Sequence, residues 1–211
     1  MTSPLVILAS SSINRLRLLR SINIEPKVVC SNYEEDLPKT LPVREFVEQT
    51  AHEKLKSVRS DMREKQEPFD VIIACDTVIY FENEIIGKPV NKEDAIATLK
   101  RLRNKTHLCY TGVSLAYPDE TEDVFNVETT IAFGDFPDSL IEAYVATGEP
   151  LSKAGSYGIQ GFASVFVKSV HGCYSNIVGL PIHETRYRLV EMLEVLITGS
   201  GEYYWVTLRD C

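Results

Sequence analysis

Leu5-Val-Ile-Leu8, then Ala9-Ser-Ser-Ser12, then Ile13 to Ser21 is the stretch whose reading sets the architecture. The apolar run predicts a short buried strand. Leu16 and Leu19 recur at helical spacing with Arg15 among them, so Ile13 to Ser21 predicts a helix. Strand, serine-rich turn and helix in that order offer a cradle for a phosphate, because unpaired N–H groups and the helix dipole meet there. Ser10 and Ser12 also suit a plain helix cap, and the two uses are compatible.

The rest of the chain continues the alternation. Lys27 to Cys30 predicts a second strand, which runs into the acidic loop Glu34-Glu35-Asp36. Val47, Ala51, Leu55 and Val58 form the stripe of an amphipathic helix over 43–58. Val71 to Ala74 predicts a buried strand with Asp76-Thr77 at its C-terminal end. Val78 to Phe81 and Ile85-Ile86 predict a hairpin around Glu82-Asn-Glu84. Asn91 caps a helix running to Leu102. Leu108 to Tyr117 and Val124 to Phe133 are long strand candidates, the second placing Phe125, Val127, Thr129 and Ile131 on one face. A helix opens at Pro137-Asp138 and stops at Gly148, a strand covers 163–170, and a last helix covers 182–197. Hairpins among alternating helices and strands predict an α/β fold with a mixed sheet. Residues 1–197 read as a single domain. Residues 198–211 read as a tail with no partner element.

Composition narrows the function classes. A chain of 211 residues with 44% hydrophobic content can bury one core. A net charge of −8 argues against a surface that coats nucleic acid, while leaving room for a local basic cluster around a small phosphorylated ligand. The apolar run at the N-terminus is too short for a signal peptide or a membrane span. Five cysteines without a C-x-x-C pair fit reduced thiols in a cytoplasmic protein better than a disulfide framework or a zinc site.

Lys153-Ala-Gly-Ser-Tyr-Gly-Ile-Gln-Gly161 suits neither helix nor strand. Its glycines allow close approach of a ligand to the backbone, Lys153 brings a positive charge, and Gln160 brings an amide donor and acceptor. Familiar signatures fail. Tyr187 stands where His183-Glu184 would need a second zinc-binding histidine, and Gly155, Gly158 and Gly161 do not have dinucleotide spacing. Gly87-Lys88 is followed by Pro89, so it is not a P-loop.

Among single residues, Asp76 can bind a divalent metal or activate water, or it can end the strand in an Asx turn; position alone leaves both open. Lys54 lies on a helix whose periodicity would point it to solvent, and Lys88 sits in a loop. Glu34 and Glu35 are solvated by default, yet they have the oxygens that Mg²⁺ or Mn²⁺ prefer. Arg15 is a helix-surface charge or a bidentate phosphate clamp.

These pieces together resemble the Maf nucleotide pyrophosphatases. The resemblance rests on Leu8-Ala-Ser-Ser-Ser12, Ala51-His-Glu-Lys54, Ala74-Cys-Asp-Thr77, Gly87-Lys-Pro89, Lys105-Thr-His107, Tyr110-Thr-Gly112, Glu149-Pro150, Lys153 to Gly161, and Val178-Gly-Leu-Pro181. It implies a fold similar to that of inosine triphosphate pyrophosphatases: a long mixed β-sheet flanked by helices, with two lobes around a cleft. It implies hydrolysis of nucleoside triphosphates to monophosphate and pyrophosphate with Mg²⁺ or Mn²⁺ as divalent cofactor. By motif position, Asp76 would be the catalytic acid/base, with Lys54, Lys88 and Glu35 beside it and the metal on Asp76 and Glu35. Ser10, Asn14, Arg15, Thr77, Lys153 and Gln160 would bind substrate. Asp76-Thr77 and Gln160 match the branch acting on dTTP and UTP, and an amide can both accept from the pyrimidine N3–H and donate to a carbonyl. Similar proteins often form homodimers; neither nucleic acid nor a membrane is an expected partner.

The chain departs from the family pattern at Asn14, where arginine is usual, at Ser152, where aspartate is usual, and at Arg103-Asn104, which replace Ser-Gly. Weaker or broader activity is one consequence. The alternatives are a nucleotide-binding regulator with little turnover and a pyrophosphatase for modified pyrimidine nucleotides.

Overall fold

The computed structural model describes residues 4–189, 193–197 and 203–207. Among them the strands are β1 (Val6–Leu8), β2 (Lys27–Val28), β3 (Val71–Phe81), β4 (Glu84–Ile86), β5 (Thr106–Ala116), β6 (Glu122–Phe133), β7 (Val167–His171), β8 (Leu193–Ile197) and β9 (Tyr203–Thr207). The α-helices are α1 (Ile13–Arg20), α2 (Val43–Glu64), α3 (Lys92–Leu102), α4 (Asp138–Ala146), α5 (Tyr174–Val178) and α6 (Ile182–Leu189). Seven strands make one sheet in the order β2-β1-β3-β5-β6-β7, with β4 also on β3; β8 and β9 form a separate antiparallel pair. β1 pairs parallel with β2 and β3, and β3 pairs antiparallel with β4 and β5, so the sheet is mixed as expected. No helix among the described residues is long and apolar enough to cross a membrane.

β3 organises the molecule. It runs unbroken for 11 residues, which corrects the expectation of a strand ending before Asp76 and a separate hairpin strand after it. Asp76 and Thr77 interrupt the apolar pattern, but their ladder to β5 is continuous, with Asp76 opposite Gly112 and Thr77 opposite Thr111. On its other edge β3 pairs with β1 at 71–73 and with β4 at 79–81. Residues 74–78 between them have a ladder partner only on the β5 side.

The core breaks at the same level on both faces. On the α2 face, Leu55, Val58 and Met62 pack with Ile72, Ala74 and Ala116, while Val43, Phe46 and Val47 pack with Val78, Ile85 and Tyr110. Asp76 and Gly112 lie between the two groups, because side chains alternate along paired strands. On the opposite face, Leu19, Leu180 and Leu189 cover Ile73, Cys75 and Val113, while Leu99, Ile141 and Phe166 cover Ile79, Cys109 and Phe133. Thr77 and Thr111 separate these. Two apolar halves thus flank a polar step that crosses the sheet.

Other expectations need correction. Phe162–Phe166 is a 3-10 turn, and only Val167–His171 forms the strand placed at 163–170. The last helix is described over Ile182–Leu189, and Leu193–Ile197 is a strand paired with Tyr203–Thr207 rather than helix; this also gives part of the tail a partner. Residues 198–202 and 208–211 of the tail lie outside the described residues. α5 was not anticipated. At five residues it is too short for a periodic signal. Asn104 has φ 55, a left-handed conformation that asparagine tolerates. Arg103 beside it donates to the Phe136 carbonyl at 3.0 Å and to Asp138 at 2.7 Å, anchoring the start of α4.

Candidate active site

Helix α2 sits against the sheet at a point where no side chain intervenes. A Cβ on Gly112 would lie 2.2 Å from the Val47 carbonyl oxygen, so only glycine admits this contact. Lys54 is two turns further along the same face of α2. Its Nζ reaches Asp76 Oδ1 at 2.7 Å and Glu35 Oε1 at 2.6 Å, with only 13% of the lysine side chain and 10% of the aspartate side chain exposed. The lysine that periodicity would point to solvent is therefore half-buried and held between two carboxylates. Partial burial works to raise the Glu35 carboxyl, but Lys54, Lys88 and Arg15 outweigh it and hold Glu35 below the usual carboxylate range. Burial pushes the Cys75 thiol up to about 11 against the pull of Arg15 and Lys54, which keeps this neighbour of Asp76 protonated.

The other face of β3 carries the arginine. Ser12 caps α1 by accepting from the Arg15 N–H at 3.5 Å, and Ser10 accepts from the Ser12 N–H at 3.2 Å. Arg15 then folds back. It donates from Nε to the Gly179 carbonyl at 2.8 Å, from Nη1 to Ser10 Oγ at 2.9 Å and from Nη2 to Thr77 Oγ1 at 3.1 Å. Three of its five N–H donors are used, all on neutral oxygens. No carboxylate lies within salt-bridge distance of Arg15 among the described residues, nor of Lys88 or Lys153. Half-buried guanidinium with spare donors and no counter-ion is the electrostatic condition for binding an anion.

β4 leaves the ladder at Ile86, opposite Ile79, and so carries Gly87 and Lys88 towards the open stretch of β3. The Gly155 N–H donates to the Gly87 carbonyl at 2.9 Å, which ties the glycine-rich segment to the same place. Within that segment the glycines serve the protein's own packing, contrary to the ligand-approach reading. Gly155 has φ 64, and a Cβ there would meet Ile79 Cγ1 at 2.5 Å; Cβ atoms on Gly158 and Gly161 would each meet Glu149 Oε1 at 2.6 Å. Ser152, in the place of the usual aspartate, has its hydroxyl on the Glu149 carbonyl at 3.3 Å. Gln160 is exposed, Asn14 is half-buried, and the side chain of neither hydrogen-bonds another described residue. Direct contacts join Ser10, Arg15 and Thr77 on one face of β3 and Glu35, Lys54 and Asp76 on the other, and the two groups meet through the adjacent backbone positions 76 and 77. Lys88 acts on Glu35 through its charge, and no direct contact links Asn14, Lys153 or Gln160 to Asp76 among the described residues.

Sequence reading did not pick out Thr111, Asn176 or the Gly179 carbonyl. Thr77 Oγ1 and Thr111 Oγ1 are 2.9 Å apart, and Thr111 donates to the Asn176 carbonyl at 3.0 Å. Their motifs, Tyr110-Thr-Gly112 and Val178-Gly-Leu-Pro181, were visible, but a carbonyl that holds an arginine leaves no signal in side-chain identity.

A family profile described as Maf-like protein matches residues 5–192, and the chain belongs to that family. A relative from Caldicellulosiruptor bescii named dTTP/UTP pyrophosphatase is 39% identical over 192 residues, covering 90% of this chain and 94% of that protein. A Dictyoglomus turgidum protein of the same name is 42% identical over 180 residues, covering 84% and 90%. Among solved structures, the Staphylococcus aureus Ham1 protein aligns with a TM-score of 0.44 at 16% identity over 62% of this chain and 72% of that one, a likeness too slight to bear on the site.

Proposed function

We propose that the protein hydrolyses dTTP and UTP to the nucleoside monophosphate and pyrophosphate at the open edge of β3. The observation that carries this is Lys54 bridging Asp76 and Glu35 on one face while Arg15, in no direct ion pair with a described residue, lies on the other. A phosphate chain lying along residues 74–78 meets carboxylates and cations together. The relatives' names favour thymine and uracil, and the exposed amide of Gln160 has the donor and acceptor those bases require.

Asp76 Oδ1 is occupied by Lys54, and Oδ2 accepts no bond from another described residue. Oδ2 takes a proton from the water that attacks the α-phosphorus. Lys54 keeps the carboxylate oriented, and Arg15 presents its two remaining N–H donors to phosphate oxygens. Lys88 and Lys153 add charge where the pyrophosphate leaves.

A divalent cofactor of the Mg²⁺ or Mn²⁺ kind fits these residues. Asp76 and Glu35 converge on a single cation, the Lys54 ammonium, and offer only hard oxygen donors. Among the described residues no group of three His, Cys, Asp or Glu surrounds such a point, so substrate phosphates would complete the shell, as Mg²⁺ commonly requires. Held there, the ion would supply charge neutralisation along the phosphate chain.

A substrate panel tests the proposal. With Mn²⁺ or Mg²⁺, pyrophosphate release from dTTP and UTP should exceed that from dATP, dCTP and GTP. Equal rates across the panel would remove the base assignment, and no release from any nucleotide would remove the activity.

A further inference from the structure

Gln160 is placed by the backbone beneath it, since its side chain hydrogen-bonds no other described residue. The Gly161 N–H donates to the Gly158 carbonyl at 3.0 Å, which closes a turn over 158–161 with Ile159 and Gln160 at its corners. Ile159 is buried in the core that holds Phe133, Tyr144 and Phe166, while Gln160 is exposed. One corner roots the turn in the protein and the other presents the amide.

Both ends of this turn rest on one carboxylate. The place a Cβ would take on Gly158, and the place one would take on Gly161, each lie 2.6 Å from Glu149 Oε1, and Oε2 is 3.0 Å from the second. Glu149 therefore fills the space that side chains would need at either end. Tyr144, fully buried on α4, holds the carboxylate there. Its phenol oxygen accepts from the Gly158 N–H at 3.1 Å and gives its one hydrogen to Glu149 Oε1 at 3.2 Å. Burial holds that phenol far above its ordinary pKa, so the hydrogen stays in place. The Tyr144 ring stacks on Phe162, the residue just beyond the turn, with centroids 5.9 Å apart. The Glu149 N–H donates to Thr147 Oγ1 at 3.2 Å, which fixes the backbone below the carboxylate.

We propose that Glu149, held by Tyr144, is a positioning residue for base selection: it props the 158–161 turn so that the Gln160 amide meets the pyrimidine edge. The inference rests on the proposed reading that Gln160 contacts the base, and Glu149 acts through Gln160. Matching a pyrimidine needs the amide donor and acceptor in register together. Removing the carboxylate leaves a gap under a turn that begins and ends in glycine, the residue with the widest backbone freedom. A shift of about 1 Å at Gln160 is enough to spoil a two-point match. A carboxylate that served only the fold would affect every nucleotide alike.

The test is selectivity, measured on the full chain with Mn²⁺. Glu149→Ala should lower kcat/KM for dTTP and UTP by about tenfold, chiefly through KM, and should lower the dTTP to GTP ratio by the same factor. Calorimetric affinities for the two nucleotides should show the same fall, which makes the readout independent of turnover. Inorganic tripolyphosphate has no base, and its affinity should not weaken in Glu149→Ala. Glu149→Gln keeps the length and an oxygen acceptor and should recover most of the ratio. Tyr144→Phe keeps the ring without the hydroxyl, should lower the ratio as well, and carries the test if Glu149→Ala does not fold. Glu149→Ala combined with Gln160→Ala should discriminate no worse than Gln160→Ala alone, a coupling that general destabilisation does not produce. Folded variants that keep the wild-type ratio, or that lose tripolyphosphate in step with dTTP, overturn this proposal alone. A wild type that does not distinguish dTTP from GTP removes the base reading of Gln160 and the proposal with it.

Discussion

Gly112 lies directly across the β3–β5 ladder from Asp76, and the place its Cβ would take is filled by the backbone of Val47. One missing side chain therefore sets how closely α2 approaches the sheet, and with it whether Lys54 reaches the carboxylate. Gly112→Ala would force the Val47 carbonyl, 2.2 Å away, to retreat along with the helix. Overpacking against backbone should cost about 3 kcal/mol or more. Urea unfolding should show a lower midpoint, and activity should fall further than stability does, because the Lys54 to Asp76 bond is stretched. A variant with wild-type stability would mean that the helix seat is set elsewhere.

His107 predicts a pH effect on stability. It is buried, its Nε2 meets the Tyr157 hydroxyl at 2.9 Å, and burial lowers its pKa from 6.5 to about 4. The unfolded chain takes up this proton below about pH 6.5, while the folded protein does so only near pH 4. The contribution of neutral His107 is thus complete above the unfolded value and is lost as pH falls towards the folded one, about 3 kcal/mol in all. Urea unfolding from about pH 7.5 to about pH 4.5 should show a shallower loss in His107→Gln than in the wild type. Parallel curves would exclude this source.

Gln160 predicts a change of selectivity without a change of fold. It is exposed, and its side chain hydrogen-bonds no other described residue, so Gln160→Glu should alter stability by less than about 0.5 kcal/mol. An ionised carboxylate can only accept, which leaves a pyrimidine carbonyl without its donor. Steady-state kinetics should show kcat/KM for dTTP and UTP falling by about tenfold or more. An unchanged ratio of dTTP to GTP turnover would remove Gln160 from base reading.

The mixed sheet and most of its elements were legible because apolar periodicity is strong in α2, α3 and β6, while β5 is a long strand buried along nearly its whole length. Asp76-Thr77 was legible as a pair but misplaced at a strand end. Two polar residues stop an apolar run, and only the intact ladder to β5 shows that the backbone continues. Leu193–Ile197 was misread as helix because a short apolar run does not distinguish the two periods. Lys54 looked like a surface charge because periodicity reports where a side chain begins, not where a long one ends. The glycine-rich segment was correctly set apart from helix and strand. Its packing around Glu149 was not readable, since a glycine making room for a ligand and one making room for a carboxylate look the same.

The most direct measurement is pyrophosphate release from dTTP by Asp76→Asn beside the wild type, with folding checked by circular dichroism. Asparagine keeps the shape of the side chain but cannot take a proton from water. Activity should fall by about 100-fold or more while the fold is retained. An Asp76→Asn protein that releases pyrophosphate at the wild-type rate would contradict the account.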